Sequence, residues 1–271
     1  MSDSSPFDFT GAHVFVSGGS SGINFGIAQA FARAGARLSI MSRSPERVES
    51  AAARLRELGT DALGIAADVR QPEAVARALV QAAGRFGPID VLVSGAAGNF
   101  LAKALEMSPN AFKTVIDIDL LGSFNVLRLS HPHLRKPGAS ILQISASQAF
   151  VATPYQVHVS AAKAGIDMLT RGLALEWGAD GIRVNSLIPG PIQDTEGLKR
   201  LAPTEETLQA MADRVPLGRL GHLEDVSRMA LMLASDWGSY ITGTVIAVDG
   251  GLALTGPRDF SAAAAATARQ R

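Results

Sequence analysis

Two opposite charges fall on the inner faces of two separate amphipathic segments. Around residue 119 the chain reads Ile116-Asp117-Ile118-Asp119-Leu120-Leu121-Gly122. Asp119 stands four residues after Val115 and three after Ile116, so in a helix it shares their apolar stripe, which Leu127 extends. Asp117 stands four residues after Lys113 and is expected outside, in a pair with it. Lys163 has Val159 four residues before it and Ile166 three after, again on the apolar side. A charge on an inner face is costly unless it is paired or put to use. The two groups are therefore expected to meet, as a structural ion pair or as a centre that handles a proton. Inner-face ionisable groups cluster at functional sites, which favours the second. Gly122, three residues past Asp119, leaves room for close backbone approach.

A second chemistry is anion binding. Ser17-Gly18-Gly19-Ser20-Ser21-Gly22-Ile23-Asn24 follows the apolar run His13–Val16 and precedes an amphipathic segment reaching Ala34. A Gly-rich turn between a strand and a helix lets backbone N–H groups approach a pyrophosphate, and the helix N-terminus adds partial positive charge. An ordinary tight turn is the alternative; its place after the first strand of a repeating pattern favours a dinucleotide. The next apolar run ends Met41-Ser42-Arg43-Ser44. An acid here would hydrogen-bond an adenosine ribose, whereas Arg43 between hydroxyls suits a 2′-phosphate and so NADP(H). Asp68-Val69 could place a carboxylate near the adenine amino group; an exposed loop acid is the alternative.

The elements that must position these groups alternate regularly. Strands are expected at His13–Val16, Arg37–Met41, Ala62–Ala66, Ile89–Val93, Ala139–Ile144, Arg183–Leu187 and Thr244–Val248, with helices between them. One long helix is expected from about Ser108, with Pro109 in its first turn, to about Leu134. Seven strands separated by helices imply an α/β, Rossmann-type doubly wound parallel sheet covered on both faces. Residues 1–255 are expected to form one domain and 256–271, rich in Ala, a tail. The 271 residues carry 25 Lys plus Arg against 25 Asp plus Glu, so no basic surface suggests nucleic acid. The absence of Cys excludes disulfides, Cys-based metal sites and thiolate nucleophiles, and no metal is expected. No apolar stretch is long enough to span a membrane, and the polar start, Met1–Thr10, lacks a secretory layout. A cytoplasmic protein is expected.

Taken together, the Gly loop, Asp68-Val69, Ala96-Ala97-Gly98, Ile144-Ser145-Ala146-Ser147, Lys163, Asn185, Pro189-Gly190-Pro191-Ile192 with Thr195, and Val248-Asp249-Gly250-Gly251 resemble the short-chain dehydrogenase/reductase family over nearly the whole chain. The resemblance implies a nicotinamide cofactor and a homotetramer. Beside Ser42 and Arg43, read above from their chemistry, it assigns Ser17, Gly18, Ser20, Ser21, Gly22, Ile23, Asp68, Val69, Ala96, Ala97, Gly98, Lys163, Pro189, Gly190 and Ile192 to the cofactor.

Three departures stand out. The family's tyrosine, four residues before the lysine, is Val159; its helix asparagine is Asp119; the third loop glycine is Asn24. The peroxisomal-type 2,4-dienoyl-CoA reductase branch shares the tyrosine loss. Ala96–Leu101, Asn110–Val115, Phe124-Asn125-Val126, Val157-His158 and Thr195–Leu198 look like that branch. The resemblance gives Asp119 and Lys163 a bound water to protonate carbon, with Ser145 or the Asn99 amide at the thioester oxygen and Asn99, Phe100 and Thr195 against an acyl-CoA substrate. Mitochondrial-type relatives use a tyrosine just after strand 5, where this chain has Gln148. A carbonyl or other enoyl reductase using Tyr155, and a cofactor-binding protein without catalysis, are the alternatives.

Overall fold

The computed structural model describes residues 7–255. Seven strands, β1 (His13–Ser17), β2 (Arg37–Ser42), β3 (Ala62–Ala66), β4 (Val91–Ser94), β5 (Ser140–Ile144), β6 (Arg183–Pro189) and β7 (Val245–Val248), form one sheet in the order β3-β2-β1-β4-β5-β6-β7. Every neighbouring pair is parallel. The expected seven-stranded doubly wound architecture is what the chain adopts. Strand order reverses between β1 and β4, and in such sheets ligands bind outside the carboxyl ends at that point.

The central strands β1, β4 and β5 are buried along their whole length because successive side chains point to opposite faces and helices cover both. On β1, Val14 and Val16 enter one core with α1 (Gly22–Arg33), α2 (Pro45–Arg56) and α9 (Leu223–Ala234), while Phe15 enters the other. That second core holds residues of α3 (Pro72–Phe86), α5 (Gly122–Ser130) and α6 (Val157–Trp177). Ser44 and Ser108 cap α2 and α4 (Pro109–Val115), accepting from the amides of Arg47 (3.2 Å) and Ala111 (3.1 Å), each with proline next.

The long helix expected from Ser108 to Leu134 is not uniform. It runs as α4, a π-helical turn at Ile116–Leu121, then α5, and closes in a 3₁₀ turn at His131–His133. A hydrophobic pattern cannot distinguish a π turn from α-helix, since the insertion re-aims side chains without changing composition. The fourth strand begins at Val91 rather than Ile89, which instead bridges Leu134. Two short helices follow β6: α7 (Glu196–Leu201), which the sequence reading did not anticipate, and α8 (Glu205–Asp213). The Ala-rich segment 256–271 lies outside the described residues.

Candidate active site

A cleft of about 910 Å³ opens at the carboxyl ends of β1, β2, β4 and β5. Gly18 turns with φ +72°, and a Cβ there would lie 2.8 Å from Ala96 Cα, so only glycine lets the loop pass beneath the end of β4. Gly22 (φ +58°) has nothing within 4 Å of a built Cβ, leaving the start of α1 open to a ligand. Ser21 caps α1 without using its side chain, so first-turn amides point free into the cleft. At the far end Ser42, Arg43, Ser44 and Arg47 line the wall. Neither arginine has a carboxylate partner among the described residues, and Ser42 Oγ is buried without a hydrogen bond. Open amides, two unpaired guanidinium groups and an unpartnered hydroxyl fit a phosphorylated dinucleotide.

Asn24, in place of a third loop glycine, works as a brace. Its Nδ2 donates to Gly95 O (2.7 Å) and Gly18 O (3.3 Å), tying the loop to the end of β4. A Cβ on Gly95 would lie 2.2 Å from Asn24 Oδ1, so the asparagine requires glycine opposite.

The two inner-face charges meet at the floor. Lys163 Nζ lies 3.2 Å from Asp119 Oδ2, with the side chains 8% and 1% exposed. The contact is within ion-pair range but not aligned as a hydrogen bond, and Oδ2 has no other partner. Asp119 Oδ1 accepts from Gly98 N–H (2.7 Å), and Lys163 Nζ donates to Ile144 O (3.1 Å). The π turn carries Asp119, and the Ser123 hydroxyl donates to the Asp119 carbonyl (2.6 Å). Asp117 faces outward and pairs with Lys113, as its spacing requires. Gly122 packs on Val69, where a Cβ would lie 2.5 Å from Val69 Cγ2, and Asn125 Nδ2 donates to Val69 O (2.9 Å). One helical unit thus places the carboxylate and clamps the loop after β3. Behind Lys163, Asp167 is buried; desolvation pushes its carboxyl above the ordinary range against the hydroxyls of Ser145 and Ser186 (3.2 Å to the latter).

The family described as "Enoyl-(Acyl carrier protein) reductase" matches residues 18–253. The chain belongs to the short-chain dehydrogenase/reductase family. It is 47% identical over 247 residues to the peroxisomal 2,4-dienoyl-CoA reductase [(3E)-enoyl-CoA-producing] of Pongo abelii, covering 90% of this chain and 85% of that protein. It is 43% identical over 258 residues to the protein of the same name in Arabidopsis thaliana, covering 92% and 86%. Among solved structures, the Pseudomonas aeruginosa RhlG/NADP active-site complex is similar, with TM-score 0.85 and 29% identity over 91% of this chain and 98% of that one. The expected cytoplasmic location is corrected by these relatives, which are named for the peroxisome. Composition could not have made the distinction, because both compartments are aqueous.

Membership of this family implies a nicotinamide cofactor, and the cleft at the carboxyl ends of the strands has a lining that fits one. Val159 lines the cleft, 3% exposed, where the family's phenol would stand. Gly18, Ser20, Ser21, Gly22, Ile23, Ser42, Arg43, Val69, Ala96, Ala97, Gly98, Asn99, Ser145, Lys163 and Thr195 all reach its wall. Others named from the sequence do not. The Asp68 carboxylate is taken by Arg70 (2.6 Å to Nη2), which holds it below the ordinary carboxylate range. Ser17 is buried behind Gly18. Gly190 and Ile192 line a separate cavity of about 480 Å³, and Pro189 ends β6 beside it. The Phe100 ring packs on His158, centroids 4.3 Å apart. The sequence reading missed Arg47, Gln148 and Glu196 on the cleft wall. Two of them had a signal: Arg47 stands in the first turn of the helix that Ser44 caps, and Gln148 occupies the position of the mitochondrial-type tyrosine.

Proposed function

We propose that this protein is an NADPH-dependent 2,4-dienoyl-CoA reductase. The observation that carries the reading is the buried Asp119–Lys163 pair standing in a cleft whose phenol position is Val159. Reducing a ketone leaves an alkoxide that needs a proton donor at its oxygen, the usual task of that phenol. Reducing a carbon–carbon double bond conjugated to a thioester does not.

Bound NADPH supplies the hydride, which arrives at C5 of the dienoyl chain. The electron pair moves through the conjugated system to the thioester oxygen. Protonation at C2 then leaves a C3=C4 double bond, the outcome printed in the (3E) names of the relatives. The chain's own groups match these needs. Asp119 Oδ2 retains lone-pair capacity for a water, and Lys163 Nζ beside it can relay that water's proton toward carbon. Lys163 would also hold the nicotinamide ribose hydroxyls, as the family resemblance implies. Asn99, on the same wall, provides a donor for charge on the thioester oxygen, whereas the Ser145 hydroxyl donates to the Lys163 carbonyl (3.5 Å) and supports the lysine instead. Arg43 and Arg47 select the 2′-phosphate, and the similarity to an NADP complex supports that choice. The substrate is an acyl-CoA, the assembly a homotetramer, and residues 1–255 one domain with no nucleic-acid or membrane partner. No helix among the described residues is long and apolar enough to cross a membrane.

A carbonyl reductase built on Tyr155 finds less support: that side chain is half-exposed and does not line the cleft. The deciding assay follows NADPH oxidation with a dienoyl-CoA, an enoyl-CoA and a ketoacyl-CoA. Turnover is expected with the dienoyl-CoA. Turnover of the ketoacyl-CoA alone, by protein shown to bind NADPH, overturns the assignment.

A further inference from the structure

Three carboxamides run in a line along one wall of the cleft. Gln148 Nε2 donates to Gln156 Oε1 (2.7 Å), and Gln156 Nε2 donates to Asn99 Oδ1 (2.9 Å). They come from three segments: the 3₁₀ turn after β5, the residue before α6, and the loop after β4. Gln148 and Asn99 line the cleft with Asp119 and Lys163, whereas Gln156 is 2% exposed and lies behind them.

The backbone is bent to make this line. Tyr155 has φ +65°, a left-handed conformation costly for an aromatic residue, and it immediately precedes Gln156. Such strain persists where the surroundings over-determine it and concentrates at functional sites. Here the surroundings are the loop that carries Asn99. Ala102 N–H donates to Tyr155 O (3.1 Å), Asn99 accepts from Gln156, and Phe100 packs on His158. Three contacts stitch residues 99–102 to residues 155–158.

A carboxamide has one acceptor end and one donor end. With Gln156 Nε2 on its oxygen, Asn99 keeps Nδ2 without a partner among the described residues. Gln156 in turn has its oxygen occupied by Gln148, so its amide cannot reverse alone without losing both bonds; reversal requires Gln148 and Asn99 to turn with it. We infer that Gln156 is a positioning residue: held by Gln148 and by the strained turn at Tyr155, it fixes the polarity of Asn99 so that the Asn99 donor, not its acceptor, meets the substrate thioester. This rests on the dienoyl-CoA reading.

The test is Gln156→Glu. Once ionised, the glutamate still accepts from Gln148 but cannot donate to Asn99, which must turn its Nδ2 onto the new carboxylate and present its oxygen to the cleft, so the rate is read at pH high enough to ionise it. Removing one oxyanion donor costs about 10²–10³ in kcat. Asn99→Ala is expected to show that loss, and Gln156→Glu a loss of about tenfold or more, with NADPH affinity by fluorescence titration unchanged in both. The double variant is expected to be no slower than Asn99→Ala, since both remove the same donor. Gln156→Met, which keeps shape and brings no charge, is read in the same cycle should the glutamate not fold, with a smaller loss expected. Wild-type kcat in a folded Gln156 variant, additive losses in the cycle, or weakened NADPH binding in step with kcat would each overturn the inference. A wild-type protein that reduces no dienoyl-CoA would overturn the functional reading as well.

Discussion

Replacing Asp119 by Asn tests the centre with the smallest perturbation. The amide keeps the side-chain volume and can still accept from Gly98 N–H, now 2.7 Å from Oδ1, so the π turn and the loop after β4 stay joined. What disappears is the charge 3.2 Å from Lys163 Nζ. Breaking a buried pair by removing one partner costs about 3–5 kcal/mol, because the remaining charge stays buried. Lys163 retains the Ile144 carbonyl at 3.1 Å and has Asp167 one turn along α6, so the low end, about 3 kcal/mol, is expected. For a chain of this size that lowers Tm by about 6–12 °C. A positioned proton donor or acceptor contributes about 10²–10⁴ in rate, which equals about 3–5 kcal/mol of barrier. Steady-state NADPH oxidation with a dienoyl-CoA should therefore fall by that factor while NADPH affinity, measured separately, holds. Asp119→Ala should be worse in stability, since it also frees the Gly98 amide. Wild-type kcat in Asp119→Asn would refute a proton-handling role, and an unchanged Tm as well would refute the buried-pair argument itself.

Arg43→Ala should weaken NADPH binding by about 10–100-fold, the worth of a hydrogen bond to a charged group, and leave NADH binding unchanged; titration with both cofactors checks it. Gly95→Ala drives a methyl against Asn24 and should cost about 1–3 kcal/mol together with dinucleotide affinity, and Asn24→Gly in the same chain should recover much of the stability, as read by denaturant unfolding. Stability should decline as pH drops below about 6.5: burial depresses His13 and His158, so the unfolded chain takes up protons there that the folded chain refuses. A further loss is expected between pH 3.8 and about 2, where Asp225, held down by Arg219, stays ionised only in the folded state; melts across pH would show both.

The sheet was legible because each strand is a short apolar run between turn residues, and seven such runs with helices between them admit few topologies. The Asp119–Lys163 meeting was legible for a narrower reason: each charge sits at helical spacing from apolar neighbours, and two buried opposite charges seek one another. What escaped was geometry that leaves no trace in composition. The π turn re-aims Asp119 within an unbroken hydrophobic pattern. Gln156 reads only as the residue that replaces the tyrosine of related enoyl reductases, and the left-handed Tyr155 reveals why it is buried. Asp68 reads as an adenine contact until Arg70, two residues on, is seen to claim it. Short-range competition between side chains is the common cause of such differences.

Buried polar atoms in folded proteins are nearly always paired, so the exceptions carry information. Of the eight side-chain atoms that are buried without a hydrogen bond among the described residues, three, Ser42 Oγ, Asn24 Oδ1 and Asp119 Oδ2, line the one cleft. They lie beside Arg43, at the Gly loop and beside Lys163 in that order. A structural ion pair would have spent both Asp119 oxygens on aligned donors, since an idle lone pair on a buried carboxylate is expensive. Asp119 spends one on Gly98 and keeps the other beside an ammonium group. Val159 has no proton to give and Tyr155 does not line the cleft. Under the proposed function a proton delivered here comes through the carboxylate and the lysine, and chemistry that needs it at carbon rather than at an alkoxide is the chemistry this arrangement can serve.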